Sequence, residues 1–192
     1  MPWEKQFNKD EALDKAMQAF WMHGYEATSM QDLVDCTGVN RGSLYATYGD
    51  KHALFLAALR SYDQRRRTML GELEGRYSPR EAIRRLFAGI VDEASPSGSN
   101  RGCFMTNTAL ELAAHDPEVK TLVAAAQEDV EAFFLRMIRR GKAEGAIGAH
   151  VKPQETSRAL LASLLGVLVL VRSRPDRGVL QSITADAMRR LE

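Results

Sequence analysis

Residues 37–55 read TGVNRGSLYATYGDKHALF. Gly38 interrupts one helical pattern, and Asn40 is a good N-cap for the next. Val39 and Leu44 are the apolar positions that would face a core, and Asp50 opens a long pattern through Leu54, Phe55, Ala58 and Leu59. Between the two caps stand Arg41, Gly42, Ser43, Tyr45 and Thr47, which a core does not need. Two short helices joined by CTGVN make a helix-turn-helix unit. In such a unit the second helix enters the major groove, and its first residues meet base edges. Arg41, Ser43 and Thr47 are then exposed toward DNA, and Gly42 lets the backbone approach the sugar-phosphate chain. Tyr45 and Tyr48 offer hydroxyls to phosphates, with inward packing the alternative for Tyr48. Lys51 stands in the first turn of the following helix, where its charge and the helix amides can share one phosphate.

Upstream, Leu13, Met17 and Phe20 recur at helical spacing and Gly24 stops the pattern. Thr28 with Gln31 has the form of a capping box opening a second helix through Met30, Leu33 and Val34. Downstream, Ser78, Pro79 and Glu81 supply an N-cap, a first-turn proline and a capping-box acid for a helix through Ile83, Leu86, Phe87 and Ile90. The stretch SPSGSNRG, 95–102, is a loop by composition. HDPE begins a long helix whose face reads Leu122, Ala126, Val130, Phe133 and Met137, punctuated by Gly145 and Gly148. Pro153 lies near the next start, and Pro175 separates the last two helices. Strand signals are nearly absent. The expectation is an all-α chain of about nine helices, divided into a helix-turn-helix domain over 1–50 and a larger helical domain over 51–192.

The 192 residues are 45% hydrophobic and 27% charged, enough for a packed core. Formal net charge is +1, and through residue 60 six Lys or Arg face eight Asp or Glu. Non-specific DNA affinity comes mainly from basic side chains. DNA contact must therefore rest on a few well-placed groups, helix N-termini and dimerisation. Cys36 and Cys103 make no disulfide framework and no signal-like segment opens the chain, so a cytoplasmic protein is expected. The run ALLASLLGVLVLV, 159–171, is shorter than the ~20 residues of a membrane span and is bracketed by Arg158 and Arg172. A core or subunit-interface helix is expected there. Leu160, Leu164, Val167, Leu168 and Val171, with Ile183 on the last helix, are the candidates for a homodimer interface.

His23, His52, His115 and His150 are scattered, so no metal is expected, and nothing implies a cofactor. No phosphate loop, G-x-S-x-G elbow or H-E-x-x-H is present, and no convergent acid, base or nucleophile set argues for an enzyme. A membrane-surface module would show a basic amphipathic face, which the strongest apolar run lacks. A helical bundle can hold an apolar pocket with a few polar groups. Phe87, Cys103, Phe104, Asn107, Thr108, Phe133 and Met137 are the candidates for lining one. Cys103 stands near a helix start and two residues after Arg101, a setting that favours thiolate. Packing beside Asn107, Leu110 and Ala114 is the alternative, and Cys36, beside Val34, is expected in the core.

Residues 7–59 resemble the N-terminal domain of the TetR family of bacterial transcriptional repressors. The likeness covers AFWMHGYEATSMQDLVDCTGVNRGSLYATYGDKHALF, with the patterns G-[YF]-x-x-T-[ST] and G-V-x-x-G-x-L-Y-x-x-[FY]-x-x-K. It implies three DNA-binding helices followed by a ligand-binding and dimerisation domain, without enzymatic activity. It also implies a homodimer on a pseudo-palindromic double-stranded operator, released by a small-molecule inducer. By position, Ser29, Arg41, Gly42, Ser43, Tyr45, Thr47 and Lys51 fall where the family contacts DNA, with Asn40 and Tyr48 beside them. Ala46 and Thr47 stand where histidines are common, and Tyr48 replaces a usual Phe. The stretch GCFMTNTALELAAHDPEV, 102–119, is similar to a subgroup that includes repressors of reactive-electrophile and drug-response genes. A thiol or electrophile sensor acting through Cys103 is the alternative reading.

Overall fold

Helix punctuation in the sequence becomes helix termini in the structure. A computed structural model describes residues 7–94 and 100–192, and these form nine α-helices with no strand. They are α1 (Lys9–His23), α2 (Met30–Thr37), α3 (Arg41–Tyr48), α4 (Lys51–Arg76), α5 (Pro79–Glu93), α6 (Phe104–Glu111), α7 (Pro117–Ala143), α8 (Pro153–Ser173) and α9 (Arg177–Arg189). Gly38 takes φ 70° and donates its N–H to the Val34 carbonyl, closing α2 so that the chain can turn into α3. Of the expected loop over 95–102, residues 95–99 lie outside the described residues.

Two caps differ from expectation. The box of α2 is Ser29 with Asp32: Ser29 Oγ accepts from the Asp32 amide at 3.1 Å, and the Asp32 carboxylate accepts from the Ser29 amide at 2.8 Å. Thr28 is buried, and its hydroxyl donates to the Gly24 carbonyl at 2.6 Å, so it serves the preceding turn. Ser78 is the N-cap of α5 with Pro79 following, but its side chain caps nothing. Glu81 turns instead to Arg84 and Arg85, and the Arg84 hydrogen bond leads in holding its carboxyl down at about 2.

Two cores organise the chain. The first holds Ala16, Phe20, Leu33, Leu44, Leu54, Phe55 and Leu59 from α1–α4, and it takes in Phe104 and Met105 from α6 and Val119 and Val123 from α7. Full burial of such side chains is worth roughly 1.5–3 kcal/mol each. Ring contacts run without a break from Tyr25 to Phe55 (4.9 Å), Phe104 (5.7 Å), Tyr62 (5.7 Å) and Trp21 (5.1 Å). Packing therefore continues past residue 50, with α4 shared between the two halves. The second core joins α5, α7, α8 and α9 through Phe87, Phe133, Phe134, Met137, Leu160, Val167 and Leu180.

By length and composition α8 is apolar enough to cross a bilayer. One stripe of it is used inside the subunit. Leu160, Leu164, Val167 and Val171 are buried against α5, α7 and α9, which corrects the expectation that they face a partner. Leu168 and Ile183 are half-buried and pack on the same core. The outward stripe of α8 is Ala162, Gly166 and Val169.

Candidate DNA interface and ligand cavity

The short α3 buries Leu44, with Val39 just before it, and little else. Asn40 Oδ1 accepts from the Ser43 amide at 2.9 Å and fixes where the helix starts. Arg41, Gly42, Tyr45 and Ala46 are exposed, and Ser43 and Thr47 are half-buried. Tyr45 keeps 42% of its surface in solvent, unusual for a ring with a core close by. A Cβ built on Gly42 would meet only Asn40 Oδ1, at 3.4 Å, an ordinary contact. The subunit's own packing does not require glycine there.

Around α3 stand the other groups picked from sequence. Ser29 is exposed at the cap of α2. Lys51 opens α4, with Nζ 4.2 Å from the Tyr25 ring centroid, a cation–π contact that steadies the ammonium. The Asp32 carboxyl is held low by its Ser29 hydrogen bonds, with His23 and Lys51 adding to it. Tyr48 departs from the set: its hydroxyl donates to the Lys9 carbonyl at 3.1 Å, and burial pushes its pKa up. Its packing is inward, and its hydroxyl already has a partner. Arg41 is the single cation on α2 and α3.

A cavity of about 960 Å³ lies among α4, α5, α6, α7 and α8. Met69, Leu70, Leu73, Leu86, Ile90, Leu161, Leu164, Leu168 and Val171 form apolar wall, and Tyr62, Arg66, Cys103, Thr106 and Gln127 add polar groups. The Tyr62 hydroxyl donates to Cys103 Sγ at 3.3 Å, and burial holds the phenol well above its usual range. Arg66 Nη2 donates to Asp63 Oδ1 at 2.7 Å and Asp129 Oδ2 at 3.1 Å, and Nε reaches Asp63 Oδ1 at 3.0 Å. Arg66 Nη1 is buried with no partner among the described residues.

Of the seven cavity candidates from sequence, Cys103 alone lines this space. Phe87, Phe133 and Met137 are fully buried in the second core, and Phe104 is buried in the first. Thr108 is buried away from the cavity, and Asn107 Nδ2 donates to the Arg101 carbonyl at 2.7 Å. Arg101 stacks on Trp21 at 4.5 Å and hydrogen-bonds Gln18, so it is turned to α1. Cys103 is itself the N-cap of α6, without a side-chain cap bond, and it is buried. Cys36, expected in the core, is exposed. Among the described residues no group of three or more His, Cys, Asp or Glu is placed to hold a metal ion.

The model of the TetR family of bacterial regulatory proteins matches residues 12–58, and that of the tetracyclin repressor-like C-terminal domain matches residues 79–186. The chain belongs to the TetR family. Among curated relatives, YezE of Bacillus subtilis, an HTH-type transcriptional regulator, is 33% identical over 183 residues, 95% of this chain and 90% of YezE. The HTH-type transcriptional repressor ComR of Escherichia coli is 30% identical, over 96% of this chain and 89% of ComR. Among solved structures, a cysteine-substituted CifR of the TetR family, in complex with 26-bp double-strand operator DNA, superposes with a TM-score of 0.84. It is 29% identical over 98% of each chain. TetR membership makes this chain a DNA-binding regulator of transcription and not an enzyme.

Sequence reasoning missed the cavity groups of this TetR protein on α4. Tyr62, Arg66, Leu70 and Leu73 recur at i, i+4, i+8 and i+11, one face of a helix. The charged run DQRRR, 63–67, hides that face because it reads as a solvated surface.

Proposed function

We propose that the chain is a ligand-responsive repressor that binds a pseudo-palindromic operator as a homodimer. A small molecule filling the cavity releases it. The observation that carries the DNA part is the outward face of α3, where Arg41, Gly42 and Tyr45 are exposed and belong to neither core. The operator complex of CifR, at 29% identity, supports the same reading. Arg41 would read base edges, Ser29, Ser43, Tyr45 and Thr47 would lie against the DNA, and Lys51 with the α4 amides would hold a phosphate. The outward stripe of α8, with the exposed side of α9, would pair with its symmetry mate; Ala162 and Gly166 are small enough for helices to approach closely. Residues 1–50 would serve DNA and residues 51–192 ligand and partner, in the cytoplasm where the operator is. The ligand's leverage equals its differential affinity for the operator-competent and incompetent states.

Selection from random duplex DNA, followed by mobility shift at several salt concentrations, tests this. A palindromic consensus is expected for wild type, bound more weakly and with one position of each half-site relaxed by Arg41→Ala. Equal binding to every sequence by both proteins would remove the operator reading.

One observation favours a second reading, a thiol or electrophile sensor. Cys103 is among the residues lining the cavity, where a small electrophile would bind beside it. Release of the operator by a small enone from wild type but not from Cys103→Ser would favour this reading.

A further inference from the structure

The cavity wall changes character along α4. Tyr62 and Arg66 lie one turn apart, and Leu70 and Leu73 continue the same side, a span of about 16 Å at ~1.5 Å per residue. Among the described residues Arg66, Arg84, Arg85 and Arg101 line the space, against one carboxylate, Asp92. Most of these charges are engaged elsewhere: Arg84 and Arg85 pair with Glu81, Asp92 with Arg177, and Arg101 with Trp21 and Gln18. Arg66 is different. Its side chain is 10% exposed, its Nε and Nη2 are taken by Asp63 and Asp129, and its Nη1 has no acceptor among the described residues. Asp63 and Asp129 also pair with Arg67, so two arginines and two aspartates balance before any ligand arrives.

A buried guanidinium N–H without an acceptor costs free energy, which an incoming acceptor relieves. The wider lining is cationic, so an anionic acceptor is favoured over a neutral one, and charge-assisted hydrogen bonds are the stronger kind. The space lies at the upper end of the ~300–1,000 Å³ typical of ligand pockets.

We propose that the cavity takes a small amphipathic carboxylate, its headgroup drawing the covered Arg66 Nη1 toward the space to donate to it, and its apolar body lying against Leu70, Leu73, Leu86 and Leu164. This names the ligand class and rests on the ligand-responsive reading above. Gln127 lines the same space and supplies a neutral amide donor.

The test compares octanoate, octanamide and octylammonium, which share a chain and differ in headgroup. Binding to the full-length protein is followed by calorimetry, and operator binding by fluorescence anisotropy with each probe present. Octanoate should bind about tenfold more tightly than either of the others. Arg66→Lys, which keeps the charge facing Asp63 and Asp129 but removes Nη1, should lose most of that preference. The headgroup comparison on wild type stands without the variant, so it decides even if Arg66→Lys fails to fold. Octanamide or octylammonium binding as tightly as octanoate, no octanoate binding at millimolar concentration, or a preference unchanged in a folded Arg66→Lys would each overturn the proposal. Octanoate bound with its preference intact but without loosening the operator supports the ligand class and removes the inducer reading. Operator release by octanamide or octylammonium but not by octanoate overturns the ligand class and keeps the inducer reading.

Discussion

His52 Nε2 lies 2.6 Å from Asp116 Oδ2, joining the first turn of α4 to the N-cap of α7. The same carboxylate accepts from the Glu118 and Val119 amides, each at 3.0 Å. The Val119 amide leads in holding the Asp116 carboxyl below its ordinary value, and His52 adds to it. A depressed carboxyl stabilises the fold above its unfolded-state value, and that stability is lost as pH falls through the folded value. Asp116→Ala should cost about 1 kcal/mol at neutral pH through the lost cap, and Asp116→Asn less, because Asn also caps. Thermal melts against pH check this: the gap between wild type and Asp116→Asn should close on acidification below the usual carboxylate range. A gap that widens toward acid would contradict the assignment.

The groove contacts separate into two behaviours. Arg41→Ala should cost about 1–3 kcal/mol on the operator and relax base preference at one position in each half-site. Lys51→Ala should weaken all DNA nearly alike and make the salt slope shallower by about one unit. Affinity titrations on specific and scrambled duplexes at several salt concentrations distinguish them. Operator affinity unchanged in both variants would remove α3 and the start of α4 from the interface.

The two stripes of α8 give opposite phenotypes. Leu164 is buried against the subunit's own core, so Leu164→Glu should place an unpaired charge there and unfold the subunit, at a cost of several kcal/mol. Val169 is 38% exposed, so Val169→Glu should leave the subunit folded and separate the dimer. Sedimentation velocity with circular dichroism reads both. A wild-type monomer at micromolar concentration would overturn the interface.

Much of this was legible in sequence, and the failures share a cause. Gly38, Asn40 and Asp50 punctuate the chain by their own backbone and capping chemistry, so the turn and the bounds of α3 follow from local residues. Thr28 and Ser29 are both capable caps, but Thr28 is buried with its hydroxyl on the Gly24 carbonyl of the preceding turn, and Ser29 is the cap. On α8 both stripes are apolar or small, so Leu164 and Val169 cannot be assigned to core or partner from pattern alone. Phe87 and Phe133 read as core by default with cavity lining the alternative, and helix packing sent both to the core. Arg66 was invisible because its burial comes from α7 and from Asp129, 63 residues away.

The two thiols have opposite settings. Cys36 is exposed and Cys103 is buried on the cavity wall. A bulky charged maleimide should therefore label Cys36 first, whereas a small uncharged enone should reach Cys103. In that addition Sγ bonds to the β-carbon, the C=C π bond breaks and the thiol proton passes to the α-carbon. Cys103→Ser is expected to keep operator affinity and to change stability by about 1 kcal/mol or less, as a small isosteric change. Anisotropy with and without enone is the measurement. Release from wild type but not from Cys103→Ser establishes the sensor, and equal response in both proteins, or in neither, sinks it.

The 26 residues of α4 make a rod about 39 Å long at ~1.5 Å per residue. Arg66 on the cavity wall and Lys51 beside the DNA face are 15 residues apart on it, or roughly 22 Å. A tilt of about 8° at Arg66 then carries Lys51 some ~3 Å, a full hydrogen-bond length. Helix crossing angles scatter by ~15–20° among well-packed proteins, so such a tilt needs no core to come apart. In a dimer it is applied twice, once from each end, against half-sites fixed roughly 34–36 Å apart or a multiple of that. For the repressor proposed above, a dimer that fits its operator and one that does not would then differ by a few degrees of a single helix.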